Sequence, residues 1–161
     1  MIREIDSSEI PACADVIRRS FLSVAQEFGF TPENAPRFTA FAMTEDRLRR
    51  QLEQERRLMC AYRTDDGKII GYYSLLLPGD GTCELNNLCV LPAYRHGHIG
   101  ASLLSDARRR AKSAGCTLMR IGIVEENKRL RAWYEANGFV HTGTEKFDFF
   151  PFTCGYMETK L

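Results

Sequence analysis

The chain has 161 residues, and its 22 lysines and arginines nearly balance 21 aspartates and glutamates to leave a formal charge of +1. That length suits one domain with a sizeable core, so a single domain over 1–161 is expected. The charge balance lacks the basic excess of a dedicated nucleic-acid binder, and no apolar run approaches the roughly 20 residues that span a bilayer.

Met1–Ile5 alternates weakly and predicts a short edge strand. Ser8 is the expected cap of a first helix, because Pro11 then falls where its missing N–H costs nothing. Ile10, Cys13, Ala14, Ile17, Phe21, Val24 and Phe28 recur at helical steps and form one apolar stripe that ends near Gly29. A loop of turn formers, GFTPENAPRF, separates it from a second helix capped by Thr44, whose inner face carries only Leu48 and Leu52. The arginine runs at 47–50 and 108–110 read as solvated helix faces.

Two strands over 58–63 and 68–77 flank Asp65-Asp66-Gly67, a strong hairpin signal. A third runs from Thr82 to Leu91. Strict alternation cannot place Leu85, Leu88 and Val90 on one face, so a one-residue slip is expected near Asn86–Asn87, which is a β-bulge. A frayed edge strand with both asparagines exposed is the rival reading. A helix over 98–114 follows, with Gly115 as its left-handed stop. Then come a strand at 118–124, a helix at 127–137 stopped by Gly138, and two last strands joined near Pro151. Antiparallel strands first and a βαβ unit in the middle give a mixed α/β domain.

LPAYRHGHIGASLL, residues 91–104, leads from a strand through a turn into an amphipathic helix. The first amides of a helix lack internal partners and sit at the positive end of its dipole, so they suit an anion. Arg95 and His96 add donors beside them, and the turn is read as a phosphate holder. It has neither the Lys-Ser/Thr pair of a P-loop nor a downstream acid placed for a dinucleotide ribose.

PAYRHGHIGASLL followed by IVEENKRLRAWYEANGF resembles the GCN5-related N-acetyltransferase (GNAT) superfamily. Its pyrophosphate loop has the form Gln/Arg-x-x-Gly-x-Gly/Ala, and an Asn…Tyr-x-x-x-Gly-Phe helix follows. The close match runs from about Glu84 to Phe139. Arg95 and Gly100 fall in place, while His98 occupies the middle glycine position and Gly97 stands one residue early. A side chain at 98 either crowds a phosphate or donates to it.

The resemblance implies a GNAT-like α/β fold: a mixed, mostly antiparallel twisted sheet splayed at a β-bulge and flanked by about four helices. It implies acetyl-CoA as cosubstrate and acetyl transfer to a primary amine of a small molecule or peptide by direct attack on the thioester. The coenzyme pyrophosphate is then expected on the amides of His96, Gly97, His98, Ile99, Gly100 and Ala101, with Arg95 adding charge. The pantetheine arm would pair with backbone at Leu88, Cys89 and Val90 and meet Asn127, which also reads as a plain helix cap. Tyr134 corresponds to the family's general acid; two turns after Asn127, it shares that residue's helix face. The rival reading is an aromatic core residue beside Trp133, and the choice of tyrosine over phenylalanine favours the acid.

Glu84 is the expected base that takes a proton from the acceptor ammonium, with Glu125 next in line and a water chain as an alternative. The oxyanion donor is expected at the Leu88 or Cys89 N–H. An acyl-cysteine route through Cys89 lacks a partner base. Acceptor recognition is assigned to the loop 28–41 and to Phe147, Phe149, Phe150, Phe152 and Tyr156. A non-catalytic acyl-CoA-binding or sensor module of the same fold is the competing function, favoured by His98.

The six cysteines form no C-x-x-C pair and read as reduced core residues, and with three histidines they offer no zinc-ligand spacing, so no metal is expected. MIREIDSSEI holds no apolar signal core, which makes the expected location cytoplasmic. The expected partner is the amine substrate, with no nucleic acid or membrane, in a monomer or homodimer.

Overall fold

The computed structural model describes residues 1–161. A seven-stranded sheet is built from β1 (Ile2–Glu4), β2 (Arg57–Arg63), β3 (Ile69–Leu76), β4 (Thr82–Val90), β5 (Leu118–Val124), β6 (Val140–Lys146) and β7 (Thr153–Lys160), in the order β1-β2-β3-β4-β5-β7-β6. Every neighbouring pair is antiparallel except β4 and β5, which run parallel because a helix connects them. The helices are α1 (Ile10–Phe28), α2 (Thr39–Ala42), α3 (Glu45–Gln54), α4 (Ile99–Ser113) and α5 (Lys128–Ala136). The expected α/β architecture is present, with α2 as one extra turn inside the loop after α1.

Two differences at helix ends have simple causes. Asp6, not Ser8, caps the first helical segment: its carboxylate accepts the Ser8 N–H at 2.9 Å, and Glu9 reaches back to the Asp6 N–H at 3.1 Å. This reciprocal box satisfies two otherwise unpaired donors, which a serine at position 8 would not do. Arg108 and Arg110 also leave the solvent face assigned to them. Arg108 donates to the Asn137 carbonyl, and Arg110 Nε donates to Asp106 Oδ2 at 2.8 Å.

Both faces of the sheet are covered. Leu103, Leu104, Ala107 and Ala111 of α4 pack on Cys83, Leu85, Met119, Ile121 and Ile123. On the opposite face Ile10, Cys13, Ala14 and Ile17 of α1, with Leu48 of α3, pack on Met59, Ala61, Ile70 and Tyr72. A third cluster holds the loops 29–38 and 147–152 over the end of β5. Phe21, Phe28, Phe30, Phe38, Phe41, Phe147, Phe149, Phe150 and Phe152 form one chain of ring contacts with centroids 4.6–6.4 Å apart. Such edge and stacked pairs each add about 0.5–1.5 kcal/mol beyond burial, so these two loops are fixed to one another.

Candidate active site

The site begins with an interruption of the sheet. β4 pairs with β5 only over Thr82–Glu84 against Leu118–Arg120, and beyond those residues the two strands part. On its other side β4 pairs with β3 as Tyr72↔Cys89 and then Ser74↔Asn86, so Asn87 and Leu88 together oppose Tyr73. This is the bulge that the apolar phase slip predicts. Asn87 takes a left-handed conformation, φ 55°, which asparagine tolerates better than most residues.

Backbone polarity in the opening follows from the ladder. The Leu91 N–H donates to the Ile70 carbonyl at 2.9 Å. Hydrogen-bonded pairs alternate along an antiparallel ladder, so Cys89 exchanges bonds with Tyr72. The Leu88 and Val90 main-chain groups then point away from β3, into the gap. Of the Leu88 and Cys89 amides, the first therefore faces the gap and the second is spent on β3.

At one end of the gap lies the turn at 95–98. His96 and His98 are both left-handed, with φ of 68° and 61°, whereas Gly97 is not. The middle glycine position is thus filled by a histidine in the geometry that glycine would adopt, at a cost of about 1–2 kcal/mol. Both histidines are exposed, so the imidazole at 98 does not close the turn. The first helical bond of α4 runs from the Ser102 N–H to the His98 carbonyl, at 3.0 Å. The amides of Ile99, Gly100 and Ala101 therefore have no partner within the helix.

Arg95 is engaged elsewhere than expected. Its Nε donates to the Val90 carbonyl at 3.1 Å and its Nη2 to the Ser20 carbonyl of α1 at 2.9 Å. The guanidinium braces the turn against β4 and α1, and its charge acts beside the free amides rather than as an unengaged arm.

α5 carries the next two residues. Asn127 is 9% exposed and caps the helix, its Oδ1 accepting the Leu130 N–H at 3.2 Å. Tyr134 is 6% exposed between Trp133 and Phe139, with ring centroids 5.0 and 5.1 Å away. Its hydroxyl makes no hydrogen bond to the protein and is not sealed from solvent. Burial, with the Cys89 thiol close by, pushes the phenol well above its ordinary value. Tyr134 is thus a core residue whose hydroxyl keeps its proton. Burial also pushes the Cys89 thiol up to about 12, which removes the thiolate that an acyl-cysteine would need.

The two candidate carboxylates differ sharply. Glu84 is exposed on the α1 side of the sheet, its Oε1 accepting from Asn86 Nδ2 at 2.9 Å. Glu125 is committed on both oxygens: Arg131 Nη1 donates to Oε1 at 3.0 Å, and His141 Nε2 lies 2.9 Å from Oε2. A Cβ at Gly155 would fall inside that carboxylate, so the glycine makes room for it. Glu125 is a structural clamp of the β5–α5 turn, not a free base. Neither His141 nor Gly155 signals this in the sequence, because the contact spans 16 or more residues. The sequence reading also missed Arg57 and Ser74, which join Asn86 beside Glu84.

No group of three or more His, Cys, Asp or Glu side chains is placed to hold a metal, and no helix is long and apolar enough to cross a membrane.

A parallel pair that opens at a bulge, with a turn of free amides at its end, defines an acyl-coenzyme A-dependent transferase fold. The profile of the Acetyltransferase (GNAT) family matches residues 21–139, and the chain belongs to that family of acyltransferases. An uncharacterised N-acetyltransferase of Mycobacterium tuberculosis is 29% identical over 116 residues, covering 72% of this chain and 74% of the relative. The PaiA N-acetyltransferase of Thermoplasma acidophilum, solved in complex with coenzyme A, superposes with a TM-score of 0.83 at 22% identity, over 100% of this chain and 98% of that one. The ribosomal-protein-S18-alanine N-acetyltransferase of Escherichia coli gives 0.78 at 18% identity, over 99% and 92%.

Proposed function

We propose that this protein transfers the acetyl group of acetyl-CoA to a primary amine of a small molecule or peptide by direct attack on the thioester. The observation that carries this reading is the gap between β4 and β5, which leaves the Leu88 main chain and the Val90 N–H unpaired by β5, in the cluster that holds Tyr134. A coenzyme A neighbour of the same fold, the PaiA enzyme, supports the choice of cosubstrate.

The residues present fit such a coenzyme. The free amides of Ile99, Gly100 and Ala101, with those of His96, Gly97 and His98 before them, are the donor set for a diphosphate, and Arg95 adds its charge. Val90 and Asn127 border the path of a pantetheine arm. Acetyl-CoA supplies an activated acyl group as a thioester. Glu84, directly or through water, takes a proton from the acceptor ammonium and leaves a neutral amine. As the new C–N bond forms and the C–S bond breaks, the Leu88 N–H stabilises negative charge on the acyl oxygen. Tyr134 then gives its proton to the departing sulfur and is restored by the second proton that the former amine nitrogen sheds, through water, as the amide forms. Burial keeps that phenol protonated until the sulfur departs. The acceptor enters from the α1 side, between Glu84 and the phenylalanine-bound loops 29–38 and 147–152.

Calorimetry with acetyl-CoA, coupled to free-thiol release over a panel of amines and peptides, tests the proposal. Release with at least one acceptor is expected. Binding with no release across a broad panel would favour a non-catalytic acyl-CoA-binding module instead.

A further inference from the structure

Glu84 belongs to a polar chain that runs across three strands. Arg57 on β2, Ser74 on β3 and Asn86 on β4 share one face of the sheet, as the register Arg57↔Leu76, Ser74↔Asn86 and Leu76↔Glu84 requires. Arg57 Nε donates to Glu55 Oε2 at 2.7 Å, and its Nη1 donates to Ser74 Oγ at 3.0 Å and to Asn86 Oδ1 at 2.7 Å. Asn86 Nδ2 in turn donates to Glu84 Oε1 at 2.9 Å. The Arg57 side chain is 8% exposed, so the guanidinium is held in place rather than waving in solvent.

We infer that Arg57 and Asn86 are positioning residues that fix the Glu84 carboxylate for proton transfer from the acceptor. Amide chemistry fixes the arrangement. Arginine can only donate, and an ionised carboxylate can only accept. Asn86 therefore satisfies both neighbours in one orientation alone, with Oδ1 toward Arg57 and Nδ2 toward Glu84. Without Arg57 the Glu84 carboxylate alone favours that orientation, and the amide loses the donor that anchors its oxygen. Asn86 is also the last residue of β4 in register before the bulge. The chain thus ties the base to the strand position from which the Leu88 amide is aimed.

Other charged groups around Glu84 do not substitute for this contact. Arg120, its cross-strand neighbour on β5, leans to Glu158 of β7 at 3.7 Å. Tyr156 of β7 feels the Glu84 charge, but its hydroxyl donates to Glu145 of β6 at 2.8 Å. Glu55 is neutralised by Arg57 itself.

This inference rests on Glu84 being the base, and the experiment separates the two. The pH profile of kcat/KM is measured with acetyl-CoA and an acceptor from the panel, for the parent, Glu84→Gln, Asn86→Asp, Arg57→Lys and the double variant E84Q/N86D. Asn86→Asp keeps an acceptor for Arg57 but places a like charge beside Glu84. The acid limb should then move to higher pH, because a like charge beside the base disfavours its ionised form. Arg57→Lys keeps the charge and loses the forked geometry, so it should lower kcat several-fold with little change in KM. In the Glu84→Gln background, Asn86→Asp should move nothing further. An unshifted acid limb in Asn86→Asp, where Glu84→Gln does impair turnover, overturns the relay alone. A parent-like rate and profile in Glu84→Gln overturns the base assignment, and the relay with it.

Discussion

Arg95, in the turn at the mouth of the gap, donates Nη2 to the Ser20 carbonyl 2.9 Å away on α1, across 75 residues of chain. With its second bond to Val90, one side chain joins the turn, β4 and α1. Arg95→Met should remove both ties. Hydrogen bonds from charged groups contribute about 1.5–3 kcal/mol, so a lower melting temperature is expected together with a several-fold higher KM for acetyl-CoA. Turnover at saturating acetyl-CoA should change little. Unchanged coenzyme affinity in a destabilised protein would show that the turn holds its shape unaided.

Tyr134→Phe removes the proposed leaving-group donor and keeps the ring packing against Trp133 and Phe139. General acid catalysis contributes about a hundredfold or more, so kcat should fall by at least that factor. KM for acetyl-CoA and the melting temperature should stay near the parent's. A variant as fast as the parent would reassign the donor to water.

Cys89→Ala separates direct attack from an acyl-enzyme. With its thiol pushed up to about 12, Cys89 serves as a buried small side chain. Steady-state turnover should persist within a few-fold, and no burst of thiol release should precede it in the parent. Abolished activity in a folded variant would revive the covalent route.

Gly155→Ala probes the clamp beneath the β5–α5 turn. The added methyl meets the Glu125 carboxylate and must break its contacts with Arg131 or His141. Overpacking of this kind costs about 1–3 kcal/mol, readable as a drop in melting temperature. Because the turn carries Asn127, acetyl-CoA affinity should weaken as well.

Asp106 sets part of the acid response. Burial works against its ionised form, but hydrogen bonds from Tyr73, Arg109 and Arg110 outweigh this and hold its carboxyl below the usual range. A carboxyl depressed in the folded state contributes stability above its unfolded value of about 3.9, and loses it as pH falls through the lower folded value. The stability gap between the parent and Asp106→Asn, measured by denaturant melts, should therefore be full at pH 6 and close as pH drops below about 4. A gap independent of pH would rule out this linkage.

Much of the architecture is legible because its signals are local. Leu85, Leu88 and Val90 reveal the bulge through a broken alternation, and Asp66-Gly67 marks its hairpin with Gly67 at φ 87°. Gly115 and Gly138 likewise stop α4 and α5 with left-handed φ of 84° and 89°. What escapes the sequence is long-range or runs against propensity. A single turn such as α2 shows no period, so the loop 29–38 runs into it unannounced. Left-handed histidines at 96 and 98 contradict the habit of placing glycine there, and the loop match looks poorer than its backbone is. Glu125 looks as available as Glu84 until His141, Arg131 and Gly155 are brought to it by the fold. Arg57 looks like any surface cation at a strand start, and only the register of three strands carries it to Asn86.

A sheet that separates in its middle has two edges where most sheets have a continuous ladder, and the donors along them are left to water. Amide-bearing cargo that lies down in that cleft supplies the missing rungs, so its arrival should knit the two halves of the molecule together. Resistance to heat then becomes a property of the loaded protein, rising with cargo concentration by RT ln(1 + [L]/Kd), about 2.7 kcal/mol at a hundredfold excess. Hydrogen exchange along β4 should slow in step, since the same bonds that seat the cargo close the seam.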